Sequence, residues 1–207
     1  TWHTPNGRKV SIMLEEIGMD YKVFPINIAK DEQFQPHFLK ISPNNRIPAI
    51  IDKDNNNYSL FESGAILMYL AEKSGKLINK SNSDEYFRTM EWLMWQMGGV
   101  GPMFGQVHHF VKYNKGKSAY AEERYSKEAR RLYGVMDKRL SVNPYIAGKE
   151  YSIADISIWP WTARFDWQEI DLNEFPNVAR WYKEMIDRPA VQKGWLVPQN
   201  DQLIPSI

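Results

Sequence analysis

Three short stretches carry residues whose types and spacing could do chemistry. Glu62-Ser63-Gly64 stands directly before a helical run from Ala65 to Lys73 that stops at Gly75, so Ser63 is expected as the N-cap of that helix. A helix N-terminus gathers unpaired N–H groups and partial positive charge, which suits a carboxylate. Ile47-Pro48 leads into the apolar run Ala49 to Ile51, where a cis bond is expected to leave the backbone N–H and C=O of Ile47 open to an extended ligand. Thr4-Pro5-Asn6-Gly7 is a turn tetrad that sets a hydroxyl and an amide at the head of a first helix. Read for folding alone, Glu62 and Ser63 form a cap, and Thr4 and Asn6 form a turn.

Other constellations point to packing. The chain has no Cys, which excludes disulfides, thiolate metal sites and a protein-borne thiol nucleophile. His108 and His109 are adjacent, and neighbours on a helix point about 100° apart, so they chelate poorly and no metal is expected. Gly98-Gly99-Val100-Gly101-Pro102 lacks the Lys-Ser/Thr of a phosphate loop and follows a helix instead of a strand. Phe104 and His109 are candidates for lining a substrate groove, with surface or packing roles as the alternative; for Trp161, Phe165 and Trp167 core packing is the stronger reading.

The elements that must position these residues follow from periodicity. Val10, Met13, Leu14 and Ile17 predict a first helix over Arg8 to Ile17. Tyr21 to Ile28 reads as a strand made irregular by Pro25, and a short helix is expected near Pro36 to Lys40. Ala49 to Ile51 and Tyr58 to Phe61, joined by the polar turn Asp52 to Asn57, read as a hairpin. Most of a first strand is expected to lie before Thr1, so the order β-α-β-α-β-β-α includes one inferred strand, and a targeting segment could be hidden there. The expected organisation is a domain over 1–75, a polar linker over 76–85 and an all-helical domain over 86–207. In the latter, Ala121, Tyr125, Ala129, Leu132, Met136 and Leu140 mark a long amphipathic helix with Arg124 beside the stripe. Phe87 to Met97, rich in Trp and Met, reads as a core and interface face. Ser152 with Asp155 reads as a capping box for a buried helix through Trp161, and Phe175 to Arg188 as an amphipathic helix ended by Pro189, with an irregular tail after Val197.

Composition sets the outer bounds. Across 207 residues, 43% hydrophobic and 14% aromatic content can build a substantial core. A net charge of +1 gives no footprint for nucleic acid, and no apolar run is long enough for a membrane span.

The segments TPNGRKVSIMLEE, IPAI and FESGAILMYLAEK resemble the N-terminal half of a glutathione transferase, and SPNNRIPAI, WQMGGVGPMFGQVHHF and YSIADISIWPW are similar to the bacterial nu class of YfcG-type proteins and to the related fungal nitrogen regulators. The resemblance spans the chain. It implies a thioredoxin-like α/β domain followed by an all-α domain, a cytoplasmic homodimer, and glutathione as cosubstrate. It further implies that Glu62 and Ser63 hold the γ-glutamyl end, Ile47 pairs its backbone with the cysteinyl unit, Gln33 reaches the glycyl side, and Thr4 and Asn6 stand where the thiol lies. Arg124 would reach a glutathione carboxylate across the dimer. Many relatives use Tyr, Ser or Cys near the thiol; here the neighbourhood reads Trp2-His3-Thr4, which points away from efficient conjugation. The similarity to the nu class, which uses Thr and Asn there, implies reduction of disulfides or peroxides with glutathione, with weak conjugating activity. A non-catalytic regulatory module and a glutathione-dependent dehalogenase or isomerase are the alternatives.

Overall fold

A computed structural model describes residues 1–207. In chain order its elements are α1 (Pro5–Ile17), α2 (Pro36–Leu39), β1 (Ala49–Asp52), β2 (Tyr58–Phe61), α3 (Ser63–Ser74), α4 (Ser83–Trp95), α5 (Gly101–Val107), α6 (Ala119–Leu140), α7 (Ile153–Thr162), α8 (Pro176–Ile186) and α9 (Pro189–Trp195). Two compact units result. The first comprises Thr1–Lys76 with Arg188–Ile204, and the second Leu77–Asp187 with Pro205–Ile207.

In the first unit, β1 and β2 pair antiparallel with Ala49 opposite Phe61 and Asp52 opposite Tyr58, as the sequence predicts. Asn56 and Asn57 take the left-handed conformation in the turn, which Asn tolerates better than most residues. Helix α1 begins three residues before its expected start, because Pro5 fits the first helical position and Thr4 Oγ1 accepts the Gly7 N–H at 3.1 Å. Its buried residues Val10, Ile12, Met13 and Ile17 form a core with Ile66, Leu67, Leu70 and Ala71 of α3.

The expected strand over 21–28 does not form. Its ladder is one pair of bonds with Thr1: the Thr1 amine donates to Phe24 O and Ile26 N donates to Thr1 O, both at 2.9 Å, and Pro25 between them has no N–H to give.

Helix α9 was not expected, since Pro189 read as a terminator; it stands instead at the first helical position, where its missing N–H costs nothing. The sequence reading put this segment with the helical half, but α9 packs on α1 in the first unit. A Cβ on Gly194 would lie 2.6 Å from Ile12 Cα, so the approach requires glycine. Ser11 Oγ donates to Gly194 O at 2.6 Å, and Arg188 grips both Glu16 oxygens at 2.7 and 2.9 Å.

The second unit is helical throughout. The predicted capping box is present at α7, and the buried Asp155 carboxylate accepts from Ile146 N, Ser152 N and Trp181 Nε1. Burial nevertheless pushes the Asp155 carboxyl up to about 6. The Gly-rich stretch forms a π-helical segment, Gln96–Val100, running into α5. No helix is long and apolar enough to cross a membrane.

Candidate functional site

Asn6, Arg46, Ile47, Pro48, Phe61, Glu62 and Ser63 line one cavity of about 260 Å³ in the first unit. Each is brought there by a different local cause. Asn6 is the second residue of α1, so it sits in the turn where that helix exposes its N–H groups. Arg46 and Ile47 are presented by a loop that Ser42 pins: the fully buried Ser42 donates its hydroxyl to Arg46 O at 2.7 Å and accepts Asn45 N at its own carbonyl, with Asn45 in the left-handed region. The Ile47-Pro48 bond is cis, as expected, and Ile47 lies outside the β1–β2 ladder with its backbone N–H and C=O bonded to no other backbone group.

Glu62 and Ser63 depart from the capping role that the sequence suggests. Glu62, not Ser63, occupies the N-cap position of α3, at φ 68° and ψ 114°, and no side chain caps the helix. This conformation is strained for any residue with a Cβ and costs about 1 to 3 kcal/mol. The Ser63 hydroxyl instead accepts from Lys9 Nζ at 3.2 Å. Lys9 is 1% exposed, and burial pushes its amine down to about 7 while Glu62 pulls the other way. The cavity therefore joins the N-terminal turns of α1 and α3, a cation at Arg46, a carboxylate at Glu62 and a buried amine behind Ser63. Such a set is complementary to a ligand with both carboxylates and an ammonium.

The structure does not bring all the candidates together. Thr4 Oγ1 accepts as the cap of α1, and the residue does not line the cavity. Gln33 also stands apart from the lining, in a short 3₁₀ turn (Glu32–Phe34); it is 8% exposed, its amide nitrogen 3.4 Å from Asp31 Oδ1 and its buried carbonyl oxygen without a partner. The other candidates belong to the helical unit. Phe104 is fully buried and stacks on Tyr133 with centroids 5.0 Å apart, so the expectation that it lines a groove is corrected: it is core. His109 is exposed and packs edge-on against Phe110. His108 is buried, its Nε2 3.2 Å from Gln168 Nε2, and burial with the nearby Arg164 charge pushes it down to about 4. Arg124 is exposed on α6, near Glu128, whose two oxygens are held by Arg131 at 2.8 Å. No group of three His, Cys, Asp or Glu side chains is placed to hold a metal ion.

Sequence reasoning missed Lys9, Arg46 and Ser42. A signal existed for Lys9: it lies four residues before Met13, on the face that the apolar stripe buries. Arg46 and Ser42 act through loop geometry that no periodicity encodes.

Comparison with known proteins agrees with this geometry. Family models of the glutathione S-transferase N-terminal and C-terminal domains match residues 1–72 and 99–189. The disulfide-bond oxidoreductase YfcG of Escherichia coli is 46% identical over 200 residues, which cover 95% of this chain and 93% of the relative. A glutathione transferase family member from Pseudomonas fluorescens, solved with two glutathione bound, is 44% identical with a TM-score of 0.89, over 94% of this chain and 90% of that one. One from Pseudomonas putida, with one glutathione disulfide bound per subunit, is 43% identical with a TM-score of 0.88, over 95% and 90%.

Proposed function

The chain belongs to the glutathione S-transferase family, and we propose that it uses the thiolate of glutathione to reduce small disulfides, with peroxides as further substrates and only weak conjugation. The observation that carries this reading is the shared cavity: Asn6 at the head of α1, the backbone of Ile47, and Glu62 with Ser63 at the head of α3 face one space. An extended tripeptide with a thiol at its centre can meet all three. Since the chain has no Cys, the thiol must come from the ligand.

In this reading Glu62 receives the γ-glutamyl ammonium, and Ser63 with the α3 N–H groups receives its carboxylate. Ile47 pairs with the cysteinyl backbone, and the orphaned Gln33 carbonyl accepts from the glycyl side. The Asn6 amide, with the α1 N-terminus and the Thr4 hydroxyl behind it, stabilises the sulfur anion. The thiolate attacks one sulfur of RSSR, forming a glutathione–SR disulfide and expelling RS⁻. A second glutathione thiolate then attacks that mixed disulfide, giving glutathione disulfide and a second RS⁻. Two glutathione thiols are oxidised and two RSH formed once the thiolates take protons.

The working form in this reading is a homodimer in a reducing compartment such as the cytoplasm, supported by the exposed Phe87 and Met94 of α4, with Arg124 reaching the partner's ligand. Parallel steady-state assays with glutathione against 2-hydroxyethyl disulfide and 1-chloro-2,4-dinitrobenzene test the proposal. Disulfide reduction is expected to dominate; comparable rates, or conjugation in excess, would overturn it.

A further inference from the structure

We propose that Asn6-Gly7 is a latent deamidation site, held closed by the Thr4 cap, at which the Asn6 carboxamide converts to a carboxylate and switches the site off. The conversion itself is independent of the glutathione reading above; its consequence for binding rests on that reading.

Asn6 is the one asparagine of the chain that a glycine follows. In such a pair no side chain hinders the approach of the second residue's backbone nitrogen to the carboxamide, so unfolded peptides deamidate fastest there. Space fixes the glycine: a Cβ on Gly7 would lie 2.3 Å from Trp2 O and 2.7 Å from Thr1 Oγ1. Asn6, in turn, is the residue of α1 that lines the cavity. In the reaction the Gly7 nitrogen gives up its proton and bonds to Asn6 Cγ, the bond from Cγ to the amide nitrogen breaks, and ammonia leaves with a proton from solvent. Water then opens the five-membered imide at either carbonyl, leaving aspartate or isoaspartate. Nothing is oxidised or reduced, and water alone is consumed.

The first step needs the Gly7 nitrogen, and one side chain guards it. Gly7 is the third residue of α1, in the turn whose N–H groups have no carbonyl of their own helix to bond. Deeper in a helix the backbone holds that proton; here Thr4 Oγ1 holds it, at 3.1 Å. Imide closure also requires a backbone rotation at Asn6 that the helical conformation does not give. A first turn opens locally without global unfolding, and conversion then follows the population of the opened turn. Loss of a Thr cap raises that population roughly 2- to 30-fold. Once formed, a carboxylate at this position stands where the sulfur anion of glutathione would lie, and like charges repel.

The test follows the mass and retention of the peptide carrying Asn6 while the protein stands at mildly alkaline pH without glutathione. Asn82, which precedes Ser83, reports general unfolding in the same digest. Folded wild type is expected to convert Asn6 at least about tenfold more slowly than the same chain in urea. Thr4→Ala should convert Asn6 roughly 2- to 30-fold faster than wild type, with Asn82 unchanged, and Thr4→Ser, which keeps the hydroxyl, should stay near wild type. Thr4→Val, of the same shape without the acceptor, should match Thr4→Ala and stands in for it if that variant fails to fold. Wild type that converts as fast in buffer as in urea, or a folded variant without the hydroxyl that is no faster than wild type, overturns the proposal. Converted protein, separated by ion exchange, should bind glutathione about tenfold or more weakly. Undiminished binding there overturns the switch and leaves the modification site standing, whereas unconverted protein that binds no glutathione overturns the glutathione reading alone.

Discussion

The Arg8 guanidinium lies 3.3 Å from the centre of the Trp195 ring while its Nε donates to the Trp195 carbonyl at 3.2 Å, so one side chain of α1 holds both the ring and the backbone at the end of α9. Its Nη2 also reaches Gln202 Oε1 at 2.8 Å. Arg8→Ala should lower stability by about 2 to 4 kcal/mol, through the cavity beside Trp195 and the acceptors left unpaired. Lys should not restore it, because a point charge cannot stack and fork together. Denaturant midpoints for the three proteins decide; a loss under about 0.5 kcal/mol would show that α9 is held elsewhere.

Glu62 offers a separation of binding from folding. Glu62→Gly relieves the positive φ and should raise stability by about 1 kcal/mol when measured above the range in which Lys9 carries charge. The same change should weaken glutathione binding by about 1.5 to 3 kcal/mol through loss of a charged hydrogen-bond partner. Stability that falls, with affinity intact in the folded fraction, would make Glu62 structural.

Asn6 is expected to set the acidity of the bound thiol. Moving a thiol from about 8.5 to about 7 requires roughly 2 kcal/mol of preference for thiolate, which a helix N-terminus and one charge-assisted hydrogen bond can supply together. Asn6→Ala, and less strongly Thr4→Ala, should lower turnover near neutrality and recover in part at higher pH. Thiolate absorbance of bound glutathione gives the titration directly; full activity in Asn6→Ala would place the activation elsewhere.

Arg124 carries the dimer prediction. Arg124→Ala should weaken glutathione binding by about 1 to 3 kcal/mol, with stability changed by under about 0.5, since the side chain is exposed on α6. A monomer in sedimentation at micromolar concentration, or unchanged affinity, removes the proposed contribution of the neighbouring subunit.

His108 predicts a pH effect. Its folded value, about 4, lies below the ordinary 6.5, so between these limits the unfolded chain binds a proton that the folded chain does not. Stability from this group is therefore present above about 6.5 and is lost as pH falls toward 4, by up to roughly 3 kcal/mol. Asp155, raised to about 6, acts with the opposite sign over an overlapping window, so the comparison must be between proteins. Relative to wild type, His108→Gln should be less stable at neutral pH and gain steadily on acidification. A constant difference in melting temperature would exclude the mechanism.

The parts of the fold readable in the sequence are those governed by local chemistry. The hairpin followed from two short apolar runs around Asn-rich polar residues, the α3 stop from Gly75 at φ 68°, and the α7 start from Ser152 and Asp155. What escaped depends on partners distant in sequence. Tyr21 to Ile28 has strand composition but only Thr1 to pair with, and α9 opens on a proline that reads as a terminator until Gly194 is set against Ile12. The candidate site divides the same way. Asn6, Ile47, Glu62 and Ser63 were identifiable by type and spacing, whereas the partner of the Ser63 hydroxyl is fifty-four positions away, at Lys9. Phe104 shows the reverse error, since an aromatic residue near a Gly-rich segment reads as a groove wall or as core until burial is known.

The first unit is built from two separated pieces of chain, with Arg188–Ile204 laid on Thr1–Lys76. During synthesis the residues of the cavity leave the ribosome early, but the glycine, arginine and tryptophan that clamp α9 to α1 arrive only after the helical unit has emerged. Domains that are continuous in sequence can fold as they appear. Here the cavity-bearing half must wait for α9, so a chain ended at Asp187 would carry every helix of the helical unit and still lack the segment that completes the cavity-bearing one.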